Sequence, residues 1–159
     1  MLPVCPHRLR AATLEDVSTW TQIEAEKAFS QAARARRRAS ISRRLRGRGG
    51  ACARLAVHDA RVPRRAAAAR GGVREIALDA ISATLEPNRA EHFDAEFRPA
   101  GPTRARWTSV WAAQHRGVEL PPISVVQVGD AYAVRDGHHR VSVARARGAA
   151  TIDAIVAAA

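Results

Sequence analysis

Apolar and polar residues follow two different periods along this chain, and the change falls at Gly71-Gly72. Before that pair the texture is helical. Thr13-Leu14-Glu15-Asp16 reads as a helix start, with Thr13 as cap and acids in the first turn. From there to about Arg46 good helix formers dominate (Glu24, Ala25, Glu26, Lys27, Ala28, Gln31) and nothing breaks the run. Its apolar stripe is thin (Leu14, Val17, Trp20, Ile23, Phe29), so the helix needs a partner to be stable. Gly47-Arg48-Gly49-Gly50 ends it. A weak Ala/Arg segment from Ala51 to His58, Pro63 and a second alanine run to Arg70 complete this part.

After the glycines, Val73 to Leu78 alternates enough for a short strand. Asp79 to Ala83 leads into a polar stretch, Thr84 to Asn88. Residues 89–97 read as helical or irregular, with Phe93 and Phe97 spaced to face one core. Pro102-Thr103 opens a helix to His115 or Arg116, anchored by Trp107, Val110 and Trp111 and stopped at Gly117. Ile123 to Val128 is a strand, Gly129-Asp130 a two-residue hairpin turn with glycine first, and Ala131 to Val134 the returning strand. A helix running to Arg147 and a strand Thr151–Val156 follow. The predicted order is β–α–α–β–β–α–β, a small α+β domain in which helices cover a mixed sheet.

The returning strand ends in a dense polar block, Asp136-Gly137-His138-His139-Arg140, at the start of the next helix. Unpartnered backbone N–H groups and the positive end of the helix dipole favour an anion there, phosphate above all. Gly137 permits a positive φ or a close approach to a ligand. Arg140 offers a planar fork of donors, and His138 and His139 can donate to phosphate oxygens or move a proton near neutral pH. Adjacent helical residues point about 100° apart, so the two histidines do not form a paired metal site. Asp136 suits the N-cap, or a Mg²⁺ carried by a nucleotide, with capping preferred. The competing reading is a strand–turn–helix joint with three solvated side chains. The density of the block favours a site at Gly137, His138, His139 and Arg140.

Charge changes the picture for the first 70 residues. The chain of 159 residues carries a formal net charge of +11. All of it lies in residues 1–70, where 15 Arg and Lys27 face five acids, while the remainder holds ten Arg and ten acids. Any attraction for nucleic acid or anionic lipid therefore belongs to the first part. Arg36, Arg37, Arg38, Arg43 and Arg44 are the candidate nucleic-acid contacts. A solvated basic arm explains them equally well, because no aromatic interleaves the arginines. Cys5 and Cys52 are too few and too isolated for a disulfide framework or a zinc site. No apolar run is long enough to span a bilayer, and the N-terminus lacks a secretory signal. The expectation is a cytoplasmic protein with no metal site of its own. Residues 1–70 form a basic, largely helical extension, and residues 71–159 the α+β domain.

The Asp136-Gly137-His138-His139-Arg140 block and the helix after it resemble the signature box of the ParB/sulfiredoxin-like superfamily. The resemblance extends back through Leu120-Pro121-Pro122-Ile123 and more loosely to Arg74–Asp79, covering the C-terminal half. It implies a ParB N-terminal-like, nucleotide-binding domain with a phosphate across Gly137, His138, His139 and Arg140. ATP, ADP or CTP is the expected cofactor, with or without Mg²⁺. Where sulfiredoxins place their reactive cysteine this chain has His138, which argues against sulfiredoxin chemistry. The form is closer to that of the free serine kinases, in which Glu86 is a poor match for their acid. The chain ends soon after its last strand, leaving no room for the further domains of a complete partition protein. Two functions remain: a nucleotide-binding domain with a regulatory or DNA-associated, partitioning-like role, and a small kinase or nucleotide hydrolase using the same box.

Overall fold

The computed structural model describes residues 14–47, 54–59 and 72–158. Among the described residues, four α-helices and a six-stranded mixed sheet form an α+β architecture with helices packed on the sheet. Helix α1 spans Leu14–Leu45, β1 Ala56–Val57, β2 Val73–Ala77, β3 Ile81–Thr84, α2 Pro87–Ala90 and α3 Arg104–His115. The polar block lies within the closing run of β4 Ile123–Val128, β5 Ala131–Asp136, α4 His138–Ala146 and β6 Thr151–Ala158. Thr13, the second alanine run and both cysteines lie outside the described residues. Among the described residues, no helix is long and apolar enough to cross a membrane.

The strand order is β1-β3-β5-β4-β6-β2. β1, β3 and β5 run parallel, β4 returns antiparallel to β5, β6 is parallel to β4, and β2 closes the far edge antiparallel to β6. The hairpin between β4 and β5 pairs Val128 with Ala131, and Gly129 takes φ 59°, as a two-residue turn with glycine first requires. Sequence periodicity missed β1 and β3. Both are short, and β3 (Ile-Ser-Ala-Thr) carries one large apolar side chain, so neither offers a run to read. β1, exposed at both residues, is held by its pairing with β3, and β3 by pairing and burial rather than by propensity.

Helix α4 is the centre of the packing. Val141 and Ala144 face the sheet core, where Ile81, Ile123, Val125, Val134, Phe93 and Phe97 are buried. On its other side, Val143 meets Trp107 of α3 and Phe29 of α1. The chain thus builds layers in the order sheet, α4, α3 and α1. Trp107 is fully buried, stacks on Trp111 at 5.4 Å between ring centroids, and meets Phe29 edge-on at 5.6 Å. Truncating it would cost on the order of 3–5 kcal/mol.

The expected stripe of α1 needs correction. Trp20 is 63% exposed and Ile23 40%, whereas Thr21, Ala25 and Phe29 are buried. Those three recur at i, i+4, and the small Ala25 lets the helix lie close to its partner. Arg104 of α3 fastens the contact, pairing with Glu26 at 2.8 Å and sitting 4.8 Å over the Phe29 ring. The described parts of residues 1–70 therefore contribute Phe29 to the core and β1 to the sheet.

Candidate functional site

The parallel strands β1, β3 and β5 end at the same edge, in register at Val57, Thr84 and Val134. Crevices beyond the carboxyl ends of parallel strands are where ligands settle in such sheets. Here the crevice is a cleft of about 760 Å³. The polar block forms its floor. The segment after β3 supplies Glu86, Arg89 of α2 and His92, α3 supplies Arg106, the segment before β4 supplies Pro121, and β5 adds Arg135.

Gly137, not Asp136, stands at the N-cap of α4, with φ 100° and no side-chain cap. The glycine is required by the protein itself. A Cβ there would lie 2.5 Å from Cγ2 of Ile123, and the positive φ is strained for any other residue. Asp136 caps nothing because the strand runs on to include it, turning its carboxylate to Arg140 at 2.7 Å instead.

Arg140 is likewise committed to the protein. One terminal nitrogen, Nη1, donates to the carbonyls of Pro121 and Pro122, the latter at 2.9 Å, and Nη2 donates to Asp136. The guanidinium therefore ties the Pro121-Pro122 segment to the start of α4. His138 is buried, its ring against both Phe93 (centroids 6.0 Å) and Phe97 (6.5 Å), which also meet each other at 6.2 Å, with Nε2 2.7 Å from Oγ1 of Thr84. That hydroxyl also accepts from the backbone N–H of Glu86 at 2.9 Å, so β3, the Glu86 loop and α4 meet at one oxygen. His139 is half-buried and meets Phe93 edge-on at 5.4 Å.

Burial pulls the pKa of His138 down to about 4, with Arg89 and then His139 adding to the shift and Asp136 opposing it. His139 is lowered to about 4 as well, by burial first, then Arg89, Arg106 and His92, again against Asp136. Both imidazoles are neutral at physiological pH, and each can supply one donor. Burial is the larger cause of both shifts, and the arginines around the cleft add to it. Arg89, Arg106 and Arg135 make no ion pair among the described residues. Nδ1 of His92 is buried without a hydrogen-bond partner.

The structure thus brings Gly137, His138, His139 and Arg140 together on one wall, but as a braced floor. Sequence reading missed Arg89, Arg106, Arg135 and His92. Only Arg135, adjacent to the block, carried a sequence signal; the others arrive from distant segments. Glu86 does line the cleft. Among the described residues, no three or more His, Cys, Asp or Glu gather as a metal site.

The candidate nucleic-acid residues have different fates. Arg36 reaches back to donate to the carbonyls of His92 at 3.0 Å and Glu91 at 3.1 Å, pinning α1 to the loop that lines the cleft. Arg37, Arg38 and Arg44 are exposed, and Arg43 is half-buried near Asp94 and Glu96.

The chain matches no protein-family model and no curated protein. Among solved structures it is similar to sulfiredoxin from Arabidopsis thaliana, at 19% identity and a TM-score of 0.41, over 55% of this chain and 86% of that one.

Proposed function

We propose that the cleft at the start of α4 binds a phosphate-bearing ligand, a nucleotide such as ATP, ADP or CTP. One observation carries this reading: three arginines that make no ion pair among the described residues, Arg89, Arg106 and Arg135, line the same cleft as the uncapped first turn of α4. Unpaired guanidiniums beside unpartnered backbone N–H groups create a concentrated positive potential, and a phosphate supplies both the charge and the acceptor oxygens. A volume of about 760 Å³ suits a molecule of nucleotide size.

In this reading the block supplies backbone N–H groups and one donor from His139, and Arg140 keeps the floor rigid. Arg89, Arg106 and Arg135 hold the phosphates. Glu86 and Asp136 are the acids on the cleft wall able to meet a nucleotide-borne Mg²⁺. The role is regulatory or nucleic-acid-associated, with the exposed Arg37, Arg38 and Arg44 facing a polyanion. A second reading, a small kinase or nucleotide hydrolase, draws on the exposed Glu86 in the same cleft, since a carboxylate beside a phosphate site can act as general base.

Calorimetry of the full chain with ATP, ADP, CTP and GTP, with and without Mg²⁺, tests the proposal. Saturable binding that Arg89→Gln and Arg106→Gln weaken is the expected result. No binding of any of the four at millimolar concentration would sink it. A phosphate-release assay then separates the two readings, since Glu86→Gln should abolish turnover only in the second.

A further inference from the structure

Helix α1 turns to solvent a face unlike the rest of the surface. Of the seven large apolar side chains exposed among the described residues, four stand on it: Trp20, Ile23, Ile41 and Leu45. Ile41 is 57% exposed and Leu45 83%, so the domain buries neither. Between the two apolar pairs, Lys27, Arg34, Arg37 and Arg38 are exposed as well. Apart from Arg37 at the margin, successive members of this set stand three, four or seven residues apart. That spacing sets them along one stripe of the helix, about 38 Å long.

The packing of α1 holds the stripe outward. Thr21, Ala25 and Phe29 are buried on the opposite face, and Arg36 donates to the carbonyls of Glu91 and His92. Rotating the helix to hide Ile41 and Leu45 would break those contacts. The stripe is also strongly positive. From Trp20 to Leu45 the acids of α1 are Glu24 and Glu26, and Glu26 is paired with Arg104. Lys27, Arg34, Arg37 and Arg38 make no ion pair among the described residues.

A partner for this face must answer both its charge and its apolar groups. A second copy of the stripe would bring like charges together. Nucleic acid would answer the cations, but a phosphate backbone gives Ile23, Ile41 and Leu45 nothing to pack against. An anionic bilayer answers both. Its headgroups attract the cations, and the boundary beneath them takes the aliphatic side chains and the Trp20 ring. The long stems of Lys27 and the arginines let their charged heads stay among the headgroups while the apolar groups sink. We propose that the outward face of α1 docks on an anionic lipid surface, the helix lying in the plane of the headgroups with the α+β domain above it. This names the polyanion that the exposed arginines meet, and it holds whether or not the arginine cleft binds a nucleotide.

The test sediments the full chain with vesicles of mixed phosphatidylcholine and phosphatidylserine, with vesicles of phosphatidylcholine alone, and measures binding to a DNA duplex in parallel. The mixed vesicles should bind the chain and the neutral ones should not. Binding should shift the tryptophan emission to the blue, and Trp20→Phe should remove the shift. Arg37→Gln with Arg38→Gln should raise the vesicle Kd about thirtyfold. Ile41→Gln with Leu45→Gln should raise it about tenfold or more, with an unchanged circular dichroism spectrum because both side chains are exposed. Equal vesicle binding by wild type and the Ile41, Leu45 double variant would overturn the proposal. So would binding to the duplex without binding to the vesicles, which would make nucleic acid the partner, and so would binding to neither at low salt.

Discussion

The floor and the rim of the arginine cleft carry the same side chain and use it in opposite ways. On the floor, Arg140 spends its guanidinium on the carbonyls of Pro121 and Pro122 and on Asp136. On the rim, Arg89, Arg106 and Arg135 keep their charge uncompensated by any described ion pair. A rigid floor holds geometry, and an uncompensated rim supplies attraction. What an arginine does is therefore decided by its neighbours rather than by its place in a motif. The same division recurs along α1, where Arg36 is tied to two backbone carbonyls while Arg37 and Arg38 face outward.

The most disruptive way to break the contrast is Gly137→Val. A Cβ inside the contact distance of Ile123, added to a φ of 100°, should cost more than about 4 kcal/mol and leave the chain largely unfolded in urea titrations. Wild-type stability in that variant would mean that the floor is not rigid.

Next in size is the pH dependence of the floor. The unfolded chain protonates His138 near its ordinary value of 6.5, while the folded chain resists until about 4. The unfolded state therefore binds more protons throughout that window, and stability falls as pH drops through it. The loss from His138 alone is on the order of 3 kcal/mol, complete near pH 4 and absent above about pH 7. Urea midpoints at several pH values should trace it, and His138→Gln should flatten the slope. A phosphate in the cleft should raise the apparent pKa of both histidines, so added ligand should soften the acid loss.

Arg140→Ala should cost about 2–3 kcal/mol of stability, because it leaves two carbonyls and a carboxylate without their charged donor. On the rim, Arg89→Gln and Arg106→Gln should each change stability by less than about 0.5 kcal/mol while weakening phosphate binding about tenfold. If instead Arg140→Ala spares the fold and Arg89→Gln damages it, floor and rim have been assigned the wrong way round.

The smallest effect separates the arginines of α1. Arg36→Gln should lower the unfolding free energy by about 1 kcal/mol, since both its bonds anchor the helix. Replacing Arg37 and Arg38 together should leave the midpoint unchanged. If α1 meets nucleic acid, that double change should reduce the dependence of affinity on salt by about two phosphate contacts.

Sequence alone determined the parts that rest on local periodicity and turn chemistry. The long α1, the helix carrying Trp107 and Trp111, the β4–β5 hairpin and the position of the polar block at a strand-to-helix joint were all legible. Each depends on residues within a few positions of one another. The α+β class follows from their order. Tertiary structure decided what depends on distant partners. β1 and β3 exist only as rungs of a sheet, the buried face of α1 is chosen by α3 rather than by its larger apolar residues, and Asp136 pairs with Arg140 instead of capping. The rim of the cleft shows the same limit. Arg89 and Arg106 are ordinary exposed arginines in the sequence and become a candidate site only where β3, α3 and α4 converge, because uncompensated charge is a property of a place in space and not of a residue.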